Sequence, residues 1–222
     1  MTHLPWDLQL LNACAALLLL ISFAMLSQRR IVTLVDLLAA QGGLLAVATL
    51  LLAWRTGQPH LYLSAVLTIA LKVAFLPWLL YRLIRRLEVY WDTESLLNIS
   101  GTMLVGLVVV VFAFGLAQPI TQLANTTMRS ALGIAIAVVL LAFLMMITRQ
   151  KAMSQVIGFL SMENGLFFGA MSATYGMPMV IELGVALDVL VAVLVLGVFF
   201  FQIREQFDSL DLHHLESLKE SE

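Results

Sequence analysis

The stretch 128–148 reads MRSALGIAIAVVLLAFLMMIT and has no charged side chain after Arg129. A helix needs about 20 mostly apolar residues to cross the hydrocarbon core of a bilayer, so this stretch is long enough to span a membrane. The whole chain has the same character, because 61% of its 222 residues are hydrophobic and only 12% are charged. In soluble domains the charged share is about 25%. These values predict an all-α integral membrane protein.

Polar breaks divide the chain into seven apolar stretches. They cover residues 8–26, 31–53, 61–84, 101–120, 128–148, 153–175 and 179–203. Each stretch is long enough to span, so we predict about seven transmembrane helices, with six or eight as alternatives. Because the spans use most of the chain, little of it remains for a domain outside the bilayer. The net charge of -2 and the lack of a basic block argue against nucleic acid as a partner.

The lysine and arginine residues predict an orientation, because cytoplasmic loops retain positive charge. With the N-terminus outside, nine of the 12 basic residues fall on the cytoplasmic side, whereas only Arg55 and Arg129 fall outside and Lys72 stays in the membrane. The nine are Arg29, Arg30, Arg82, Arg85, Arg86, Arg149, Lys151, Arg204 and Lys219. We therefore expect the N-terminus outside and the C-terminus in the cytoplasm, which fits an odd number of spans.

Two parts of the chain resemble each other. Residues 38–48 (LAAQGGLLAVA) match residues 160–170 (LSMENGLFFGA) at an offset of 122, and residues 67–73 (LTIALKV) match residues 183–189 (LGVALDV) at an offset of 116. Matched helices would cross in the same direction, which predicts parallel repeats. The predicted organisation is a three-helix repeat in residues 1–95, a linking helix in 96–126 and a second three-helix repeat with a cytoplasmic tail in 127–222. The alternative is that apolar helices resemble one another by composition alone.

Several ionisable side chains lie inside the predicted spans. Each costs about 2.5–3.5 kcal/mol at the bilayer centre on insertion scales, so its presence indicates a function or a partner. Lys72, Glu163 and Asp188 lie about ten to twelve residues into their spans, which places them near the membrane centre. Asp36 lies about one and a half turns into the second span, and Glu182 lies near the outer face.

These groups have two interpretations. A buried carboxylate whose charge a nearby lysine balances can take up and release protons near neutral pH. The alternative is a buried, ion-paired group that fixes helix packing. The repeat aligns Gln41 with Glu163 and Lys72 with Asp188, so only the second copy has acids at both depths. We therefore predict proton handling by Glu163 and Asp188, leave both interpretations open for Lys72, and favour packing for Asp36.

The sequence predicts no metal or haem site. Cys14 is the single cysteine, and no histidine lies within a span beside a second potential ligand. His3 and His60 are expected at the outer surface, and His213 and His214 in the tail. Structural metal sites need several such ligands at short spacing, so we expect no cofactor in this chain.

Residues from about 130 to 220 resemble the small three-helix NuoK-type subunit of respiratory complex I. The resemblance rests on the basic turn Arg149-Gln150-Lys151, the pair Ile157-Gly158, Asn164 and the exit sequence 202–218. Nearly the whole chain, including residues 159–165 (FLSMENG) and 182–192 (ELGVALDVLVA), is similar to the E component of hydrogenase-4 and formate hydrogenlyase complexes.

This resemblance implies a pair of carboxylates. The acids of the middle and last helices in NuoK-type subunits fall on Leu160 and Ala192, which cannot titrate. Glu163 follows Leu160 by three residues and Asp188 precedes Ala192 by four, so each lies about one turn away on roughly the same helix face. The shared displacement favours a retained pair.

The resemblance also implies a function and partners. It suggests a non-catalytic membrane-arm subunit of a complex I-related hydrogenase that couples redox chemistry to proton or sodium translocation. The implied pathway residues are Glu163, Asp188 and Lys72, with Gln41, Asp36, Asn164 and Glu182 as supporting polar groups. Expected partners are large antiporter-like membrane subunits, the membrane anchor of the peripheral arm, and peripheral hydrogenase subunits that hold the NiFe and iron–sulfur centres. The implied location is the prokaryotic cytoplasmic (inner) membrane. The alternatives are a purely structural assembly subunit and a free-standing secondary transporter.

Overall fold

The computed structural model describes residues 6–87, 98–121 and 126–174, together with the single positions 184, 187, 189, 190, 193 and 197. All regular elements in this part of the chain are helical, which confirms the all-α prediction there. They are α1 (Trp6–Ser27), α2 (Ile31–Thr56), α3 (Pro59–Thr68), a π-helical segment (Ile69–Phe75), α4 (Leu76–Leu87), α5 (Ile99–Thr121), α6 (Thr126–Thr148) and α7 (Ala152–Thr174). Positions from 187 onward belong to a second compact unit, and those described are helical.

Six helices among the described residues are long and apolar enough to cross a membrane. They cover Leu8–Ser27, Ile31–Thr56, Pro59–Arg86, Ile99–Pro119, Ala131–Thr148 and Ala152–Thr174. The third combines α3, the π-helical segment and α4, and is called the third span below. These bounds agree with the first six predicted spans to within three residues at each end. The seventh predicted span, 179–203, lies mostly outside the described residues, so the count of seven, the orientation and the repeats stay predictions.

A tight turn joins α2 to the third span. Gly57 ends α2 with φ 67°, and its N–H donates to the carbonyl oxygen of Ala53. This left-handed conformation favours glycine, and Pro59 then starts α3 with a backbone angle suited to a first turn. At the same end of the bundle the rings of Trp6 and Trp54 lie 4.9 Å apart. Paired tryptophans at the ends of apolar helices are typical of a membrane interface.

The interior of the bundle is formed mainly by α1, α2, α6 and α7. Glycines on α7 bring it close to α6, because a Cβ added to Gly158, Gly165 or Gly169 would lie 2.8–2.9 Å from a side chain of α6. Small residues allow such close backbone packing in membrane helices, where burial of apolar surface offers little driving force. By contrast, only 17% of the apolar window of α5 is buried, against 61% for α7. The apolar exposed face of α5 is suited to lipid or to a neighbouring subunit.

Arg149 fastens α1 to the turn between α6 and α7. Its side chain is buried, and Nη2 donates to the carbonyl oxygens of Leu26, at 3.1 Å, and Gln28. Carbonyls in the last turn of a helix have no intrahelical partner and carry partial negative charge, so a guanidinium binds them well. The sequence predicted Arg149 as a loop cation that sets orientation, but the structure also gives it this packing role.

Candidate functional site

Two of the predicted mid-membrane residues meet in a buried ion pair. Lys72 lies at the middle of the third span, and Glu163 at the middle of α7. The Lys72 Nζ donates to Glu163 Oε1 at 2.8 Å, and the two side chains are only 4% and 2% exposed. The sequence left the role of Lys72 open, and the structure makes it the partner of Glu163.

Amide and hydroxyl groups extend this pair into a chain of hydrogen bonds. Lys72 Nζ also donates to Asn164 Oδ1 at 3.0 Å, and Asn164 Nδ2 donates to Gln41 Oε1 at 3.4 Å. Gln41 Nε2 donates to Ser22 Oγ at 2.7 Å, and Ser22 Oγ donates to the Leu18 carbonyl at 2.8 Å. The five side chains, here called the Lys72 network, therefore link the third span, α7, α2 and α1. All five are buried: Ser22, Gln41, Lys72, Glu163 and Asn164.

A wide helical turn and a glycine position Lys72. Lys72 lies at the centre of the π-helical segment Ile69–Phe75. Such turns are rare within α-helices and are frequent at functional sites. On the facing helix, a Cβ added to Gly42 would lie 2.9 Å from Lys72 Cβ and 3.2 Å from the Lys72 carbonyl carbon and oxygen. The absence of a side chain at Gly42 therefore lets the backbone of α2 approach the lysine.

The pair can hold a proton in two ways. With the proton on Lys72, an ammonium faces a carboxylate, and their attraction offsets part of the cost of burying both charges. Transfer of that proton from Nζ to Oε1 leaves two neutral groups, an amine and a carboxylic acid. The 2.8 Å separation is a hydrogen-bond distance, so the transfer requires no movement of the helices. The arrangement is therefore chemically suited to proton handling.

An aromatic contact beside the pair and a hydroxyl contact at the far end of the network were not predicted from the sequence. The Phe167 ring centroid lies 5.5 Å from Lys72 Nζ, within the range of a cation–π interaction. Phe167 follows Glu163 by four residues, so a helical spacing argument could have placed it on the same face. Nothing in the sequence pattern connects Ser22 with Gln41, because their contact depends on how α1 packs on α2.

Asp36 is not hydrogen-bonded to the Lys72 network in the described structure. Asp36 lies on an exposed part of α2 and accepts a hydrogen bond from Tyr81 Oη of α4. This contact fits the packing role favoured for Asp36. Asp188 and Glu182 lie outside the described residues, so their roles stay predictions.

Comparison with known proteins finds a relative that is similar over nearly the whole chain. The uncharacterized protein Rv0085 of Mycobacterium tuberculosis is 35% identical over 212 residues, which cover 95% of this chain and 96% of the relative. No protein-family model matches the chain. No solved structure matches it either.

About half of the chain is also similar to a subunit of a hydrogenase. Hydrogenase-4 component E of Escherichia coli K12 is 29% identical over 117 residues, and the protein of that name from Shigella flexneri matches equally well. The aligned region covers 53% of this chain and 54% of the relative. The distant likeness supports the resemblance to component E over about half of the chain, and its extension to nearly the whole chain stays a prediction. The likeness of the C-terminal half to NuoK-type subunits stays a prediction.

Proposed function

The chain belongs to the same family as Rv0085 of Mycobacterium tuberculosis, and on that premise we propose that it is a non-catalytic membrane subunit of a hydrogenase-4-like complex. In this proposal the chain couples redox chemistry in partner subunits to the movement of protons through the Lys72 network. The partial likeness to hydrogenase-4 component E supports the choice of complex. The site itself supports the choice of ion and mechanism.

The observation that carries the proposal is the ion pair at the middle of two membrane-spanning helices. Charged groups at this depth are costly, and in membrane proteins they mark ion or proton pathways. Here the Lys72–Glu163 pair is joined by hydrogen bonds to Asn164 and Gln41, so the polar region crosses from the third span to α2. A packing contact alone does not require a titratable pair at the membrane centre. The network therefore favours proton transfer.

The charge balance of the site favours protons over sodium ions. A hard metal cation in a protein is surrounded by several oxygen ligands. The Lys72 ammonium lies 2.8 Å from Glu163 Oε1 and 3.0 Å from Asn164 Oδ1, where it occupies the carboxylate and amide oxygens that a sodium ion would need. A proton needs only one of these atoms. We propose Asp188 as the second carboxylate of the pathway, on the strength of its position in the sequence.

The exposed face of α2 supports membership in a larger assembly. Asp36 lies on this face together with Ala40, Val47, Leu50 and Trp54. The intervals between them are four, seven, three and four residues, which places them in one stripe along the helix, as in helices that pack against a partner. A carboxylate on a lipid-facing stripe is unfavourable, whereas a basic or hydroxyl group from a neighbouring helix would stabilise it.

Membership in a hydrogenase-4-like complex implies three kinds of partner. They are large antiporter-like membrane subunits, the membrane anchor of the peripheral arm, and peripheral hydrogenase subunits that hold the NiFe and iron–sulfur centres. The proposed location is the cytoplasmic membrane of a prokaryote, with the N-terminus outside and the C-terminus in the cytoplasm. The excess of basic residues in the predicted cytoplasmic loops supports this orientation.

Gentle purification tests membership in the complex. The full chain is tagged at its C-terminus in its native cells, solubilised in a mild detergent and separated by size, and the comigrating proteins are identified by mass spectrometry. We expect antiporter-like and nickel–iron hydrogenase subunits at a mass far above that of the 24.5 kDa chain. Migration as a small oligomer without redox partners would contradict the proposal and favour a free-standing transporter.

One observation also favours a second candidate function, that of a structural assembly subunit. The Lys72–Glu163 ion pair joins two spans directly, and such pairs fix how helices pack. Glu163→Gln separates the two functions when assembly and proton translocation are measured in the same membranes. Because the substituted amide oxygen can still accept the hydrogen bond from Lys72 Nζ, we expect enough complex to assemble for the assay and translocation to be lost. An assembled variant with normal translocation would leave only the structural function.

A further inference from the structure

Buried hydroxyl groups lead from Lys72 toward the end of the bundle at Gly57. Ser64, Thr68 and Lys72 follow one another at intervals of four residues in the third span, and all three are buried. Residues at this spacing lie on about the same helix face. Ser64 is about 12 Å from Lys72 along the axis, at about 1.5 Å per residue. The three side chains therefore form a polar line through the half of the bundle nearest to Gly57.

Ser64 differs from six other hydroxyl residues in these helices. Serine and threonine in a membrane helix commonly donate to the carbonyl four residues earlier. Six side chains do so here, at 2.8–3.1 Å: Ser22, Thr49, Thr56, Thr102, Thr148 and Thr174. The Ser64 Oγ is buried but has no hydrogen bond within the described structure. A buried hydroxyl without a bond costs about 1–3 kcal/mol, so another polar group is expected beside it.

A second buried serine hydroxyl without a hydrogen bond in the described part of the chain lies at the opposite end of the bundle. Ser154, in the first turn of α7, is fully buried, and its Oγ also has no hydrogen bond among the described residues. Ser161 follows it by seven residues and Asn164 by ten, which places all three on about the same face of α7. Both are buried. This second polar line ends at the Lys72 network, because Asn164 accepts a hydrogen bond from Lys72.

We propose that Ser64 and Ser154 each bind buried water, and that the two sites belong to separate water-filled half-routes leading from opposite ends of the bundle to Lys72 and Glu163. Thr68 and Ser161 are the intermediate positions of the two routes. Buried water characteristically satisfies polar groups that lack a protein partner. This inference rests on the proposed function for what the routes carry, which is protons.

The spacing of Ser64 and Thr68 suits proton relay through one water, whereas Ser154 and Ser161 lie about 10.5 Å apart along the axis and need more than one. Ser64 and Thr68 are separated by about 6 Å along the axis, a gap that one water can bridge with two hydrogen bonds of about 2.8 Å. A hydroxyl or water in such a chain accepts a proton on one lone pair and releases its own hydrogen to the next group. No covalent intermediate or co-reactant is needed. Gln58, whose Oε1 is buried without a hydrogen bond in the described structure, lies at the start of the Ser64 route.

Cysteine accessibility tests the two water sites in the assembled complex. Cys14 is the single cysteine of this chain, so Cys14→Ala gives a chain without thiols, and labelling is read on the isolated chain after denaturation. Ser64→Cys and Ser154→Cys are close in size to the native residues and are introduced singly. Thr49→Cys is the matched control, because Thr49 is equally buried but bonds to the Leu45 carbonyl. Silver ion is added to intact cells or to inverted vesicles, and the remaining thiol is counted with a maleimide after denaturation.

We expect silver to reach Ser64→Cys from the membrane side of Gly57 and Ser154→Cys from the opposite side, each at least about tenfold faster than Thr49→Cys, since thiol reactivity follows access. Reaction no faster than the control at both positions would overturn the proposal, as would reaction of both from one side. Comigration with partner subunits confirms that each variant has folded and assembled.

The silver-labelling result and the translocation test with Glu163→Gln can fail separately. Silver labelling measures water access and requires no proton transport. If neither cysteine is labelled while Glu163→Gln still abolishes translocation, the half-routes are wrong and the proposed function stands. If both are labelled as expected while Glu163→Gln translocates normally, water reaches the site but the proposed function is wrong.

Discussion

Glu163 and Asp36 are carboxylates in membrane-spanning helices, but the structure gives them opposite surroundings. Glu163 is 2% exposed and faces an ammonium at the centre of its helix. Asp36 is exposed, lies near the start of α2 and accepts a hydrogen bond from the neutral hydroxyl of Tyr81. A buried group with a charged partner is sensitive to the loss of that partner, whereas an exposed group is not. The comparison identifies Glu163 as the chemically significant acid of the two.

Removal of the Lys72 charge is expected to have the largest effect. Lys72→Met keeps the apolar stem of the side chain but leaves the buried Glu163 without its ammonium partner. Breaking one side of a buried pair costs about 3–5 kcal/mol, so we expect little assembled chain in the membrane. The measurement is the amount of chain that comigrates with partner subunits after gentle solubilisation. Assembly at the parent level would show that the buried Glu163 does not need the Lys72 ammonium for the chain to fold and assemble.

A methyl group at Gly42 tests how closely α2 must approach Lys72. Gly42→Ala places a Cβ 2.9 Å from Lys72 Cβ and 3.2 Å from its backbone carbonyl, which cannot move without shifting the π-helical segment. Overpacking of this kind costs about 1–3 kcal/mol, and we expect lower thermal stability together with reduced proton translocation.

Gly43→Ala is the matched control for this substitution. A Cβ at Gly43 meets no atom within 4 Å, so stability and translocation should stay close to those of the parent protein. Equal losses of stability and of proton translocation in the two variants would indicate a general effect on helix α2. They would refute the specific contact between Gly42 and Lys72.

Substitution of Asp36 is expected to have the smallest effect on this chain. Asp36→Asn retains an acceptor for Tyr81 and removes only an exposed charge, so the change in stability should be under about 1 kcal/mol. Proton translocation in assembled complexes should be unchanged, because Asp36 is not hydrogen-bonded to the Lys72 network in the described structure. Loss of translocation with normal assembly would make Asp36 part of the pathway and remove the distinction drawn above.

The positions of the spans could be predicted from the sequence, because long apolar runs and polar breaks leave few alternatives in a bilayer. The depth of Lys72 and Glu163 followed from counting residues along each helix. Their contact could not be predicted, because the sequence aligns Lys72 with Asp188 and gives no direct signal of which helices are neighbours. The hydrogen bonds to Asn164 and Gln41 depend on the same tertiary packing.

The π-helical segment and the unequal glycines were also beyond the sequence analysis. Nothing in the run Ile69–Phe75 marks a wide turn. The aligned glycines Gly43 and Gly165 looked equivalent, but a Cβ at Gly43 would meet open space, whereas one at Gly165 would lie 2.8 Å from Val138. Sequence similarity between the two copies therefore does not extend to how these glycines pack. The hydroxyl line Ser64, Thr68 and Lys72 did carry a signal, namely its four-residue spacing, that helical periodicity could have found.

The double variant Lys72→Met with Glu163→Gln tests the central claim most directly. Both buried charges are replaced by neutral groups of similar size, so assembly should recover toward the parent level from the loss expected for Lys72→Met alone. Translocation is measured in inverted membrane vesicles by the quenching of an acridine dye, with hydrogenase activity assayed in parallel. If Lys72 and Glu163 carry protons, the assembled double variant turns over hydrogen without building a proton gradient. A proton gradient equal to that of the parent complex would contradict the account and leave the pair with a structural role.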